Sequence, residues 1–179
     1  PRPLSKAGDL HLRNEYEPLA LLDRPELRVP TATGLRRTVF PVGPALMDLP
    51  FFALGEALAR LRSLAGPVDL TGYGPFHVNA VALGGLLFGF AAVWLVESTL
   101  RRHFAARTAR LVALLVWGAT FLHWYMVQQP VMSHTASAFL AAAFLWPWDR
   151  HRPPARARDA VVLGLIGGLA LCVRWQNAV

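Results

Sequence analysis

The residues best suited to chemistry are few, and they lie near the ends of apolar runs. His134 and Gln129 belong to a short polar stretch, QQPVMSHT (128–135), between LVALLVWGATFLHWYMV (111–127) and ASAFLAAAFLWPW (136–148). Arg174 directly follows AVVLGLIGGLALCV (160–173). Glu15 and Glu17 stand two apart in GDLHLRNEYEP, with Asp9 before them and Asp48 and Asp69 further along. A carboxylate can take the proton of an acceptor hydroxyl. An arginine can grip a phosphate through two parallel N–H donors. Together these side chains suit a substrate with an apolar tail and a polar, phosphate-bearing head.

Each also has a plainer reading. Glu15 and Glu17, taken by themselves, read as a solvated loop face sooner than as a catalytic pair. His134 reads as part of a helix start, with Ser133 and Thr135 satisfying free amides. Arg174 reads as a side chain snorkelling to headgroups, and His123 as a packed, hydrogen-bonded histidine within an apolar run. The histidines show no HExxH spacing, which argues against a zinc site. No GxxxxGK[ST], GxGxxG or GxSxG occurs, so the common nucleotide-binding and serine-hydrolase patterns are absent. The single cysteine, Cys172, allows no disulfide framework and reads as a packing residue.

The elements that must carry these residues are apolar. The chain is 54% hydrophobic and 16% charged, well below the roughly 25% charge of soluble domains. Residues 78–96, VNAVALGGLLFGFAAVWLV, match the thickness of a bilayer core, with Gly84, Gly85 and Gly89 permitting close helix approach. Further spans are expected at 111–127, 131–148 and 160–175, so that QQPVMSHT forms the tip of a helical hairpin at one membrane surface. The segment 40–61 is apolar but carries Asp48, Pro50, Glu56 and Arg60. It is expected as two helical pieces broken near Pro50 and lying along the interface. The expected fold is therefore all-α: a polytopic transmembrane helical fragment, with residues 1–77 an extracytoplasmic loop carrying interfacial helices and 78–179 a transmembrane helical domain.

The formal charge of +7 is organised by the same topology. Arg101, Arg102, Arg107 and Arg110 fall in one short loop, and Arg150, Arg152, Arg156 and Arg158 in another. This is the positive-inside pattern of cytoplasmic loops, not a base-reading surface, and no nucleic-acid partner is expected. Residues 1–77, the QQPVMSHT tip and Arg174 then share the opposite side.

The order GDLHLRNEY, FPVGPALMDLPFF, QQPVMSHTASAF and VRWQNA resembles bacterial membrane glycosyltransferases of the GT-C type. These are related to the dolichyl-phosphate-mannose protein mannosyltransferases and the lipid A aminoarabinose transferases. The resemblance covers most of the chain. It implies an integral protein of the bacterial inner (plasma) membrane that moves a sugar from a polyprenyl-phosphate donor to an extracytoplasmic acceptor, with a divalent metal as an optional cofactor. It also implies that the first span and the main catalytic acid precede Pro1, leaving Glu15 and Glu17 a supporting acid/base role. Arg174 is then the phosphate contact, and His134 and Gln129 the sugar or acceptor pocket. Relatives often carry an acid where this chain has Ser133 and His134. A basic residue directly ahead of the proline stretch is replaced here by Val42 and Gly43. A transporter or flippase of lipid-linked sugars, and a non-catalytic membrane assembly subunit, are the alternatives from other classes.

Overall fold

A computed structural model describes residues 41–150 and 156–178, together with Ala32 and Gly34. Glu15 and Glu17 lie outside the described residues. Among these the structure is all-α, with six α-helices followed by one short 3-10 turn. Helix α1 is Gly43–Ser63, α2 Pro75–Leu100, α3 Ala106–Gly118, α4 Phe121–Val127, α5 His134–Arg150 and α6 Ala157–Val173, and the 3-10 turn is Trp175–Ala178.

Helix α1 departs from the expectation of two pieces. It runs unbroken through Pro50. The reason is tertiary packing, which offsets the lost backbone hydrogen bond. The ring of Phe51 lies over Gly84, where a Cβ would sit 2.5 Å from Phe51 Cδ2. Phe51 also meets Phe88 edge-on at 5.5 Å, and Gly55 lies against the backbone of His77. Met47 joins the cluster that holds Phe88, Ala136, Leu140, Ala170 and Val173. Rising positions in α1 meet falling positions in α2, so the two form an antiparallel hairpin.

Pro75 begins α2 at a position whose N–H needs no helical partner. Its 26 residues span about 39 Å at 1.5 Å each. Among the described residues it is the one helix long and apolar enough to cross a membrane unaided. Helices α5 and α6 have 17 residues each, or about 25 Å, short of a roughly 30 Å hydrocarbon core.

Helix α5 runs parallel to α2, with Ala92 and Leu95 packed on Ala142 and the Trp146 indole donating to Ser98 Oγ at 2.9 Å. Helix α6 returns antiparallel to α5, pairing Ala136 and Leu140 with Val173 and Ala170. The stretch 111–127, expected as one helix, is two. α3 and α4 are bent by 61°, because Gly118 ends the first and Thr120 starts the second by accepting the Leu122 N–H at 3.2 Å.

This packing sets the height of the QQPVMSHT tip. Met126 rests on Gly89, and the Pro130 carbonyl fills the place where a Gly85 Cβ would be. The tip therefore stops about ten residues, or roughly 15 Å, short of the start of α2. It is recessed beside the middle of α2 rather than level with its end. At the opposite end, Asp149 accepts from Arg102 at 3.3 Å and pairs with His103 at 2.9 Å, clasping the α2–α3 turn to the end of α5. These partners hold the Asp149 carboxyl below its usual value, the His103 hydrogen bond most of all.

Candidate functional site

The polar ends of α4, α5 and α6 converge on one spot. Arg174 leaves α6 in an extended conformation, φ −152° and ψ 124°. Its Nη1 reaches His134, 2.5 Å from Nδ1 and 3.2 Å from Nε2. A guanidinium only donates, so the ring nitrogen that receives it carries no proton. Tyr125 stacks on the same imidazole with centroids 3.6 Å apart and 13° between planes. His134 is thus held on its face by an aromatic ring and at its edge by a cation. Both Arg174 and His134 are half-buried.

Two hollows flank this cluster. A cleft of about 420 Å³ is lined by Thr120, Phe121, Leu122, Tyr125, His134 and Ala138. A groove of about 510 Å³ runs between α5 and α6, with Leu140, Phe144, Leu145 and Leu171 along it and Gln176 and Asn177 at its polar end. The 3-10 turn is pinned there. Ser137 Oγ donates to Asn177 Oδ1 at 2.8 Å, and Asn177 Nδ2 donates to the Ala170 carbonyl at 2.8 Å. Arg174 touches His134 of the cleft and immediately precedes the turn that lines the groove.

The expected site residues fare differently. His134 and Arg174, forty residues apart, are brought together. Gln129 is half-buried in the turn, where its carbonyl accepts from Met132 N at 3.0 Å, and it does not line the His134 cleft. The helix-start role expected of Thr135 is not made: its Oγ1 is buried without a partner among the described residues. His123 is exposed and, among the described residues, meets the ring of Trp117 edge-on, centroids 4.9 Å apart, in place of the packed, hydrogen-bonded setting expected of it. Cys172 is exposed as well; its backbone lies where a Cβ on Gly43 would stand.

A second polar cluster was not singled out from the sequence. His77 is 1% exposed, and its Nε2 lies 2.8 Å from Glu56 Oε2. Glu56 also receives Arg60 Nε at 2.7 Å. The Phe52 ring covers the imidazole at 4.9 Å. This triad ties α1 to the first turn of α2. Asp69, in the turn between those helices, is held below the ordinary carboxylate value chiefly by its hydrogen bonds with Thr71. Asp48, half-buried on α1, has its carboxyl pushed up to about 6 by burial. Among the described residues no group of three His, Cys, Asp or Glu side chains gathers as a metal site requires.

Neither Tyr125 nor Asn177 carries a sequence signal for this role. Tyr125 looks like one more aromatic in an apolar run, and only the bend at Gly118–Thr120 turns it toward His134. No family model, curated protein or solved structure matches the chain.

Proposed function

We propose that this chain is part of a polytopic membrane glycosyltransferase that moves a sugar from a polyprenyl-phosphate donor to an extracytoplasmic acceptor. The observation that carries the reading is the meeting of Arg174 with His134 at the polar end of an apolar groove. A lipid tail suits the groove lined by Leu140, Phe144, Leu145 and Leu171. Its phosphate would fall at the helix end where Arg174 offers bidentate donors. The sugar would then face the His134–Tyr125 cleft, since aromatic faces suit the C–H surface of a sugar ring. The recessed height of the cluster favours a substrate that enters from the bilayer. A cluster facing open water would not need it.

In this reaction the acceptor hydroxyl oxygen attacks the anomeric carbon, and the bond from that carbon to the phosphate oxygen breaks. The lipid phosphate leaves with the electron pair, and a carboxylate takes the hydroxyl proton. Arg174 stabilises the charge that grows on the leaving phosphate. In the ligand-free arrangement His134 holds the guanidinium in place. A phosphate would take over donors that now point at the imidazole.

The test is transfer of labelled sugar from a polyprenyl-phosphate donor by the full-length protein in proteoliposomes. Transferred label is expected. Arg174→Ala should lower kcat/KM by about a hundredfold, as loss of one charge-stabilising donor does, with Arg174→Lys recovering part of it. Label that only changes leaflet would identify a transporter instead. Transfer unaffected by Arg174→Ala and His134→Ala would sink the assignment of this site.

A further inference from the structure

We propose a second, separate site at the opposite end of the bundle, where the α2–α3 turn binds the phosphate headgroup of an anionic phospholipid. It rests on the membrane placement proposed above and not on sugar transfer. A cavity of about 490 Å³ is lined there by Trp94, Glu97, Ser98, Arg101 and Arg110. Glu97 Oε1 forms ion pairs with Arg101 Nε at 3.1 Å and with Arg110 Nε at 3.6 Å. One carboxylate thus orients two guanidinium groups, one from the C-cap of α2 and one from the first turns of α3. Both are engaged through Nε, and among the described residues their Nη groups have no other protein partner. Two cations against one anion leave a net positive charge, so the pocket selects anions. Arg102 on the same turn is already committed to Asp149 and to the Trp146 carbonyl.

The surface leading to this pocket is apolar, which points to a lipid over a free phosphate. Leu87, Phe90 and Trp94 follow helical spacing on one face of α2 and are 49%, 57% and 63% exposed. On α3, Leu114 stands one turn beyond Arg110 and is 51% exposed. An acyl chain can lie along Leu87 and Phe90, with the Trp94 indole at headgroup depth, and its phosphate then reaches Arg101 and Arg110. Basic pockets between helices at the cytoplasmic face recognise anionic headgroups in this way. The loop is basic on both sides of the pocket, with Arg107 exposed beside it, so the local field also concentrates anions.

The experiment is native mass spectrometry of the purified full chain from nanodiscs holding equal phosphatidylglycerol and phosphatidylcholine. Wild type is expected to retain phosphatidylglycerol over phosphatidylcholine by about tenfold, the yield of one good charge-assisted contact. The double variant Arg101→Gln, Arg110→Gln should fall to near parity. Glu97→Gln should raise the preference, because it removes the competing anion; a misfolded variant would not give that direction. Arg158→Gln, in the first turn of α6, should change nothing. Equal loss in Arg158→Gln and in the double variant, or no change in either, overturns the site. Displacement of the lipid by millimolar inorganic phosphate alone overturns the lipid assignment in favour of a soluble anion. Insertion of wild type into pure phosphatidylcholine membranes is scored separately. If it fails, the membrane reading falls and takes this site with it; if it succeeds without lipid preference, only this site falls.

Discussion

Burial raises the Asp48 carboxyl to about 6, against roughly 3.9 in an unfolded chain. An acid with a raised folded pKa takes up a proton on folding. Its burial therefore costs stability progressively as pH rises from the unfolded value to the folded one, and the penalty is constant above that. Asp48→Asn should accordingly raise the melting temperature of the purified protein at neutral pH. The two melting curves should converge as pH is lowered toward about 4, which differential scanning fluorimetry across pH can follow. A constant offset at every pH would mean that the substitution acts through packing. At the same scale, the pairing of Arg174 with His134 was legible only as two separate candidates. Each residue type advertised its chemistry. Nothing in a forty-residue separation told that one would donate to the other, because that contact depends on how α5 and α6 are paired.

At the scale of helices, glycine decides where elements meet. Gly85 and Gly164 are both interior helix glycines, yet their surroundings differ. A Cβ at Gly85 would stand 1.9 Å from the Pro130 carbonyl oxygen, while one at Gly164 meets nothing within 4 Å. Gly85→Ala should destabilise by about 1–3 kcal/mol, the usual cost of overpacking. It should also loosen the His134 cleft by pushing the tip away. Gly164→Ala should be neutral or stabilise by up to about 1 kcal/mol through helix propensity. Thermal unfolding in detergent distinguishes them, and equal effects would contradict the packing described here. The sequence marked Gly84, Gly85 and Gly89 as points of close approach, and all three are, against Phe51, Pro130 and Met126. It misjudged Pro50, since the rule that proline breaks helices was outweighed by the Phe51 and Phe52 contacts of α1. It also missed the break at Gly118–Thr120, where a weak helix former and a threonine cap act inside a run apolar enough to read as continuous.

For the whole molecule, the membrane reading predicts that the α1–α2 turn and the α2–α3 turn lie on opposite sides of a bilayer. In a Cys172→Ala background, Leu64→Cys should react with a membrane-impermeant maleimide in intact cells. Ala105→Cys should react only after permeabilisation. Labelling of both from one side would dismiss the membrane placement. What the sequence determined by itself was the helical class and the apolar run 78–96 inside α2, because composition acts locally. It also named His134 and Arg174, because few polar residues stand at the ends of apolar runs. Only the tertiary structure decided that α1 folds back antiparallel on α2, that the tip is recessed by roughly 15 Å, and that Tyr125 and Asn177 complete the site. Those features follow from which side chains fill the space left by Gly84, Gly85 and Gly89, and packing between distant segments is not written in the periodicity of any one of them.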